Sequence, residues 1–317
     1  MQQPGKRKIL IRLVGLIIVI LLPFILGRYS VFLLSLLAVY SLASIGLNLL
    51  MGYTGQIAAG HAGFLALGAY FTAILSTRVE WMPCLITLLL AGIFTGIIGF
   101  LLGIPILRLR GFYIAMATLA FGVVVSEIIL HWTSLTGGDD GLGVPKASIV
   151  SFIFDTEQKL YFLIISITIL LTFMARNLVN GHIGRAFIAL RESEIAAQTI
   201  GVDLAKYKTV AFAISAFYTG VAGGLFAYLI TYLSPDAFTL ELSIDFIAMI
   251  VIGGLGSISG SIIGAVILTG MQQLLAGLQD VQILIFGLSL IVFMIFMPRG
   301  ISGMIITLQE RFFLGRR

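Results

Sequence analysis

The chain has 317 residues, of which 59% are hydrophobic and only 10% are charged, and its mean hydropathy is +1.12. Soluble domains typically contain about 45–50% apolar and about 25% charged residues. The composition therefore excludes an ordinary soluble protein and indicates a membrane protein that crosses the bilayer several times. The single cysteine, Cys84, excludes an internal disulfide, and with only three histidines no metal cluster of familiar ligand spacing can be built.

Ten apolar segments have roughly the length that a bilayer span requires, about 17–25 residues with some shorter. They lie near 9–26, 31–50, 62–77, 83–107, 111–130, 160–175, 209–232, 243–255, 260–277 and 282–297. The first follows basic residues and so resembles a secretory signal, but it is long and no A-x-A site follows it, which favours an uncleaved span. We expect an all-α, polytopic transmembrane bundle of about 8–10 spans that forms one membrane domain, 1–317.

The basic residues predict the orientation of these spans. If the chain starts in the cytoplasm, only Arg28, Arg78, Lys146 and Lys159 of the 19 basic residues fall outside, which leaves 15 inside. By the positive-inside rule, both termini of this multi-pass protein are then cytoplasmic, in a bacterial inner membrane. The formal net charge of +5 is explained by inner loops that face anionic lipid, so we expect no nucleic-acid partner.

Glycine interrupts the apolar runs in two places, 46–70 and 252–264. Backbone that leaves helical geometry at membrane depth is tolerated only where protein or a water-filled cavity surrounds it. Two interpretations stay open for these segments. They are either tight turns with small-residue packing, or broken helices whose starts point at substrate carboxylates. If they are re-entrant, the number of spans falls below ten.

One polar segment, 181–208, separates two long apolar runs and is too charged to lie in lipid. Within it, 186–200 contains no Gly or Pro, and its apolar residues recur at roughly helical intervals. This pattern predicts a short amphipathic helix on the cytoplasmic surface. The longest outer loop is predicted at 131–159.

Several motifs occur in one order along the chain, between about residues 35 and 300. They are Asn48-Leu49-Leu50-x-Gly52-Tyr53-x-Gly55-Gln56, Gly60-His61-Ala62-Gly63-Phe64-x-x-Leu67-Gly68-Ala69-Tyr70, Thr136-Gly137-Gly138-x-Asp140-Gly141-Leu142, Arg191-Glu192-Ser193-Glu194 and Gly253-Gly254-Leu255-Gly256-Ser257-Ile258-x-Gly260. Together they resemble the LivH/LivM family, the permeases of branched-chain amino acid ABC importers, and the third and fourth favour the LivM type. The run Glu194-Ile195-Ala196-Ala197-x-x-x-Gly201 resembles the "EAA" loop that docks such permeases on their ATPases, although its spacing is loose.

The resemblance implies a permease that moves branched-chain amino acids by alternating access. Its implied partners are a LivH-like second permease, two cytoplasmic ATPase subunits and a periplasmic substrate-binding protein. ATP and Mg would bind to the ATPases, so no cofactor is expected in this chain. The residues agree, because the sequence has no G-x-x-x-x-G-K-[ST] phosphate loop and no catalytic constellation. The chain is therefore not expected to be an enzyme.

Two other functions stay open. A permease of the same family could carry urea, short amides or other amino acids. A stand-alone secondary carrier or channel would need buried carboxylates or a charged relay, and the scarcity of acidic residues inside the spans argues against it.

The candidate site residues fall into three groups. For the substrate pathway we expect Gln56, Gly60, His61 and Gly63, since ionisable groups inside membranes are functional hypotheses, although a neutral histidine bonded to backbone is the alternative. For ATPase docking we expect Arg191, Glu192, Glu194, Ala196, Ala197 and Gly201. For docking of the binding protein we expect Asp139 and Asp140, with a solvated turn as the alternative.

Three further polar residues have simpler interpretations. Glu127 lies near the outer end of its predicted span, where snorkelling to the surface explains it. Gln272 and Gln273 are adjacent and cannot share a helix face, so interhelical hydrogen bonding is favoured.

The predicted orientation can be tested with reporters. A reporter fused after Arg317 should be cytoplasmic, and one inserted at Gly143 should be external, because most basic residues then lie inside. After Cys84 is replaced, external thiol labelling of Asp140→Cys but not Ser193→Cys should be seen in intact cells. The reverse labelling pattern would overturn the topology.

Overall fold

The computed structural model describes residues 22–79, 81–107, 109, 111–149 and 152–275, with isolated positions between 284 and 304. Most of the predicted spans 9–26 and 282–297, and both termini, lie outside these residues. The expected cytoplasmic location of the termini therefore stays a prediction. Below, the end of the bundle that carries 181–208 is called the predicted cytoplasmic end, and the end that carries 131–159 the predicted outer end.

The described part of the chain is built almost entirely from helices. They are α1 (Arg28–Thr54), α2 (His61–Arg78), α3 (Cys84–Ile106), α4 (Phe112–His131), α5 (Thr133–Thr136), α6 (Glu157–Asn180), α7 (His182–Glu192), α8 (Glu194–Thr199), α9 (Leu204–Ile230), α10 (Leu240–Gly253) and α11 (Ile258–Leu275). Six of them, α1, α3, α4, α6, α9 and α11, are long and apolar enough to cross a membrane. The predicted all-α, multi-pass fold class is thus confirmed.

Eight of the ten predicted segments coincide with helices of the described part, namely α1 to α4, α6 and α9 to α11. The 14 residues of α10 extend over about 21 Å, which is shorter than the hydrocarbon core of about 30 Å. An acidic residue, Asp245, lies within α10 and accepts a hydrogen bond from Gln272 Nε2 of α11 at 2.8 Å. The neighbouring Gln273 accepts from Tyr29 of α1 at 3.0 Å, so both glutamines bond between helices as expected.

Helix α9 lies at the centre of the bundle and packs against α1, α2 and α3. Most of α1 and α9 is buried. Lipid tails are as apolar as leucine, so transmembrane helices associate through close van der Waals contact, which small residues allow. At the contact of α2 with α9, a Cβ built on Gly68 would lie 2.6 Å from the Gly220 Cα and 2.7 Å from its carbonyl carbon. The two backbones therefore touch directly.

The outward faces of α4 and α6 carry large apolar side chains. Val124 and Ile128 on α4, and Leu170 and Phe173 on α6, are each about half exposed or more. Such faces suit contact with lipid or with another apolar helix. Glu127, near the predicted outer end of α4, is also exposed and lies 3.4 Å from His131 Nδ1, which agrees with its simpler interpretation as a surface residue.

The predicted outer loop folds onto the end of α9. Strand β1 (Leu142–Gly143) pairs antiparallel with β4 (Tyr232–Leu233), and β2 (Ser148–Ile149) pairs with β3 (Phe152–Ile153). Before β1, the Thr136 hydroxyl donates to the Ile129 carbonyl at 2.6 Å, and Gly137 has a φ of 81°. The Thr-Gly-Gly motif is therefore a folding element of this loop. At the start of α6, the hydrogen bond from Lys159 lowers the pKa of the Asp155 carboxyl.

The surface helix expected at 186–200 is divided in two. It starts earlier, at His182, and is interrupted at Ser193, which separates α7 from α8. The backbone of Ser193 is extended, with φ −165° and ψ 119°, and its side chain accepts a hydrogen bond from the Ala196 amide at 3.3 Å. Serine is a preferred N-cap because its hydroxyl binds an amide that the first turn leaves without a partner. This capping preference ends α7 and starts α8.

The Gly68 contact gives a stability prediction. Gly68→Ala should lower the free energy of unfolding by about 1–3 kcal/mol, the usual cost of forcing extra volume into a packed core, because the added methyl group meets backbone that cannot move aside. Gly270→Ala in α11 is the matched control, since no described atom lies within 4 Å of a Cβ at that position. Thermal unfolding of both variants in detergent measures the difference. Equal transition midpoints would contradict the packing argument.

Candidate functional site

The first glycine-rich interruption is a broken helix. Helix α1 ends at Thr54, Gly55 has a φ of 74°, and α2 begins at His61. Gly55 lies beside α7, since its Cβ would be 3.5 Å from the Arg191 Cα. His61, in contrast, contacts Ser215 near the middle of α9. The segment 55–60, which can reach about 20 Å when extended, therefore runs from the predicted cytoplasmic end back into the bundle.

Hydroxyl groups from other helices satisfy the backbone of this segment. The Ala59 amide donates to Thr118 Oγ1 of α4 at 2.9 Å, and the Ala62 amide donates to Ser243 Oγ of α10 at 3.0 Å. An amide left without a partner in an apolar bundle is costly, so these two hydroxyls make the break tolerable. Neither residue was expected at the site from the sequence, because neither belongs to any of the motifs.

In the described part of the chain, only one of the two ring nitrogens of His61 has a hydrogen-bond partner. Its Nε2 lies 2.7 Å from Ser215 Oγ, and that hydroxyl donates to the Gly46 carbonyl at 2.6 Å. Since a hydroxyl has one proton, the histidine Nε2–H must be the donor, which leaves Nδ1 as an acceptor. Among the described residues, neither this Nδ1 nor Gln56 Oε1 has a hydrogen-bond partner, and both are buried.

A cavity of about 300 Å³ lies where the start of α2 meets α4 and the start of α10. Its wall is formed by residues of these helices and of the connection before α10: Ala59, Ala62, Gly63, Leu119, Gly122, Val123, Ser126, Glu127, Leu130, Pro235, Asp236, Phe238, Thr239, Leu240 and Ser243. The wall combines apolar side chains with hydroxyls and two carboxylates. The cavity can thus accommodate a small molecule with both an apolar and a charged part.

Of the four residues expected in the substrate pathway, only Gly63 contributes to the wall of this cavity. Gln56, Gly60 and His61 are buried next to it. A Cβ on Gly60 would overlap the Thr118 carbonyl, and one on Gly63 would lie 3.0 Å from the Gly122 Cα. Both glycines therefore allow α2 and α4 to approach closely. The pathway assignment of the four residues stays a prediction.

The second glycine-rich interruption, 254–257, is a tight turn between α10 and α11. Gly254 and Gly256 have φ values of 119° and 75°. The Asn48 side chain of α1 holds this turn. Its Oδ1 accepts from the Gly256 amide at 2.9 Å, and its Nδ2 donates to the Ser257 carbonyl at 2.9 Å. The sequence placed Asn48 in a motif but did not indicate this contact.

The residues expected to dock on ATPases separate into two groups. Arg191 donates through Nη1 to the Gly52 carbonyl at 2.7 Å, Glu194 pairs with Lys208 at 2.6 Å, and Ala197 is buried. Glu192, Ala196 and Gly201 form the second group and are exposed, as are Arg191 and Glu194 despite their contacts.

Two apolar residues that the sequence analysis did not select are among the most exposed of this region: Ile195 is 80% and Ile200 is 74% exposed. Both isoleucines lie in the charged segment 181–208, so the sequence alone could have suggested them as apolar residues at the surface.

Asp139 and Asp140 are both exposed at the predicted outer end. The Asp140 main-chain carbonyl accepts a hydrogen bond from the Tyr232 hydroxyl. The backbone of the loop is therefore tied to β4, while both residues lie at the surface. Their expected role in docking a binding protein stays a prediction.

Comparison with known proteins agrees with this geometry. The family described as the permease component of branched-chain amino acid transport systems matches residues 29–297. The chain is 33% identical to the high-affinity branched-chain amino acid transport permease LivM of Salmonella typhimurium and 32% identical to that of Escherichia coli K12, in each case over 91% of this chain and 73% of the relative. It is 29% identical to the autoinducer 2 import permease LsrC of Escherichia coli O9:H4, over 83% of this chain and 78% of the relative.

No solved structure matches the chain. The family match spans both glycine-rich interruptions, the outer loop and the docking segment, and the LivM relatives exceed 30% identity over most of both chains. The chain is a membrane-embedded transport subunit and not an enzyme, and it belongs to the family of branched-chain amino acid transport system permease components.

Proposed function

We propose that this chain is one of two permease subunits of a bacterial ABC importer that carries branched-chain amino acids across the inner membrane. The cavity at the start of α2 is the observation that supports this proposal best. Among its wall residues, Leu119, Val123 and Leu130 suit an aliphatic side chain, and Glu127 and Asp236 suit an ammonium group. The start of α2 supplies the positive end of a helix dipole for the carboxylate.

The identity of the transported molecule is the most specific part of this proposal. The two LivM relatives of Salmonella typhimurium and Escherichia coli K12, which are named for branched-chain amino acids, are more similar to this chain than the autoinducer 2 permease LsrC, which supports the first group. Urea or a short amide would leave the apolar wall residues without a partner. An aliphatic amino acid uses both the apolar and the charged wall residues, so we favour it over the other members of the same transporter class.

The partners follow from the class of transport system. We infer a LivH-like second permease, two cytoplasmic ATPase subunits that bind ATP and Mg, and a periplasmic binding protein that delivers the substrate. Both termini and the segment 181–208 would be cytoplasmic, and 131–159 would face the periplasm. In this arrangement α7 and α8 meet the ATPases through the exposed Ile195 and Ile200, and Asp139 and Asp140 are available to the binding protein.

Transport would follow from the movement of rigid groups of helices. Closure of the ATPases would push on α7 and α8, which are attached to α9 through the Glu194–Lys208 ion pair. Because α9 packs tightly against α1, α2 and α3, these helices would move together and change the side from which the cavity is reached. Such a change has the form of a domain-closure switch, and it requires no covalent step on the cargo.

Filling the cavity should stop transport. Val123 contributes to the cavity wall and is 47% exposed, whereas its neighbour Val124 is 53% exposed and lies outside the wall. Val123→Trp should reduce leucine uptake by at least about tenfold without preventing assembly, because the indole occupies the space that the cargo needs. Val124→Trp is the matched control and should keep most of the uptake.

Uptake of labelled leucine into proteoliposomes with the full complex and binding protein is the measurement. If the two tryptophan variants transport equally well, the cavity is not part of the pathway.

The exposed isoleucines give a prediction for docking. Ile195→Asp should weaken ATPase association by about tenfold or more, since an apolar side chain at the centre of an interface often contributes about 2 kcal/mol. Ile195→Leu keeps the apolar contact and should bind normally. Both variants should insert in the membrane like the wild type, because residue 195 is 80% exposed in the permease itself.

Co-purification of the ATPases with each variant, scaled to the amount of permease, checks this expectation. Equal recovery with aspartate and with leucine would remove Ile195 from the interface.

A further inference from the structure

Arg191 is exposed, but its guanidinium also contacts the end of another helix. It lies in the last turn of α7, and its Nη1 donates to the Gly52 carbonyl of α1 at 2.7 Å. Gly52 belongs to the last turn of α1, where the carbonyl groups have no partner within the helix. A cation at this position also interacts favourably with the negative end of the helix dipole. Arg191 therefore acts as a cap on the end of α1.

The same guanidinium reaches the second glycine-rich turn. A Cβ on Gly256 would lie 2.6 Å from Arg191 Nη1 and 3.2 Å from the Gly52 carbonyl oxygen. A Cβ on Gly52 would in turn overlap Asn48 Oδ1, which accepts the hydrogen bond from the Gly256 amide. Arg191, Gly52, Asn48 and Gly256 thus form one compact cluster, and their side chains fit only because two of the four residues are glycines. Three elements meet there: α7, the end of α1 and the turn between α10 and α11.

The cluster adjoins both glycine-rich interruptions, the first through Gly52 and the second through Asn48. Gly52 is three residues before Gly55, where the chain leaves α1 and enters the segment that ends at the start of α2. Asn48 holds 254–257 through the hydrogen bonds to Gly256 and Ser257. The cluster therefore joins α7 to both interruptions by direct contacts that do not pass through the apolar core.

We propose that Arg191 is a positioning residue that couples the movement of α7 to both glycine-rich interruptions, and that it is not an ATPase contact. This inference rests on the proposed function only in assuming that ATPases act on α7 and α8. The body of α7 is anchored independently, since Phe187 and Leu190 are fully or almost fully buried. Loss of the Arg191 side chain should therefore leave α7 in place while removing its link to the end of α1.

The chemistry of arginine makes the role testable by conservative exchange. Its planar group carries five N–H donors in a fixed arrangement, so it can bind the Gly52 carbonyl and still lie flat against Gly256. Lysine offers one compact ammonium on a flexible stem and retains the charge and one donor. Glutamine lacks the charge. Uptake should be highest with arginine at position 191, lower with lysine and lowest with glutamine.

The experiment uses the full complex in proteoliposomes with the binding protein, and compares Arg191→Gln and Arg191→Lys with Arg185→Gln. Arg185 is an exposed arginine of the same helix and serves as the charge-matched control. In Arg191→Gln we expect ATPase co-purification and basal ATP hydrolysis within about twofold of the wild type, and uptake reduced at least about tenfold. ATP consumed per molecule transported should rise, and Arg191→Lys should be intermediate.

Two outcomes would overturn the inference. If ATPase co-purification falls in proportion to uptake, Arg191 is a docking contact. If uptake of Arg191→Gln equals that of Arg185→Gln, the link does not contribute to transport.

A distance measurement separates this inference from the choice of cargo. Spin labels at Ile188 on α7 and Ile57 in the first interruption, which are 43% and 41% exposed, should keep their separation when ATP is added to the wild type. In Arg191→Gln the separation should change or broaden, because the two segments then move independently. Equal behaviour of both proteins would contradict the link, whichever cargo the wild type carries. Absence of branched-chain amino acid uptake by the wild type would contradict only the cargo.

Discussion

The whole arrangement depends on one constraint, which is that main-chain amide and carbonyl groups outside helices must find partners inside an apolar bundle. Two interruptions create such groups, and the partners come from helices that are distant in the sequence. Thr118 of α4 and Ser243 of α10 bind the first interruption, and Asn48 of α1 binds the second. The hydrogen bonds that make the breaks tolerable therefore also decide which helices pack beside them. The position of the cavity follows, since it lies where α2, α4 and α10 meet.

Glycine has two separate roles in meeting this constraint. At Gly55 and Gly256 it provides a positive φ, which lets the chain turn sharply as it leaves a helix. At Gly52 and Gly60 it provides space, because a Cβ would overlap the partner atoms of Asn48 and Thr118. The sequence shows only that glycines are frequent in these segments. It does not distinguish the residues that turn the chain from those that let another helix approach.

The helices were predictable because a long apolar run leaves few alternatives to a membrane helix. The segment expected at 83–107 is observed at Cys84–Ile106. The split at Ser193 was readable in principle, since serine before glutamate is a common start of a helix, but the spacing of apolar residues suggested one continuous helix. The partners of the breaks were not predictable. Ser243 lies 181 positions from Ala62, and nothing in its neighbourhood marks a hydroxyl that binds another helix.

The direction of the Arg191 side chain shows why a motif does not fix a role. In the sequence, Arg191 belongs to a charged segment and resembles a plain surface residue, as Glu192 is. In the structure it is exposed, but its Nη1 also binds the Gly52 carbonyl at the end of α1, where carbonyl groups have no partner within the helix.

The tight contacts of α9 with α1, α2 and α3 join these helices into a unit that resists deformation, because packed interiors respond to stress by shifting as a whole. Helix α4, by contrast, meets α2 through glycine and hydroxyl contacts such as Gly63 with Gly122 and Ala59 with Thr118. The cavity borders this contact and the start of α10, so a movement of the unit relative to α4 would change its shape.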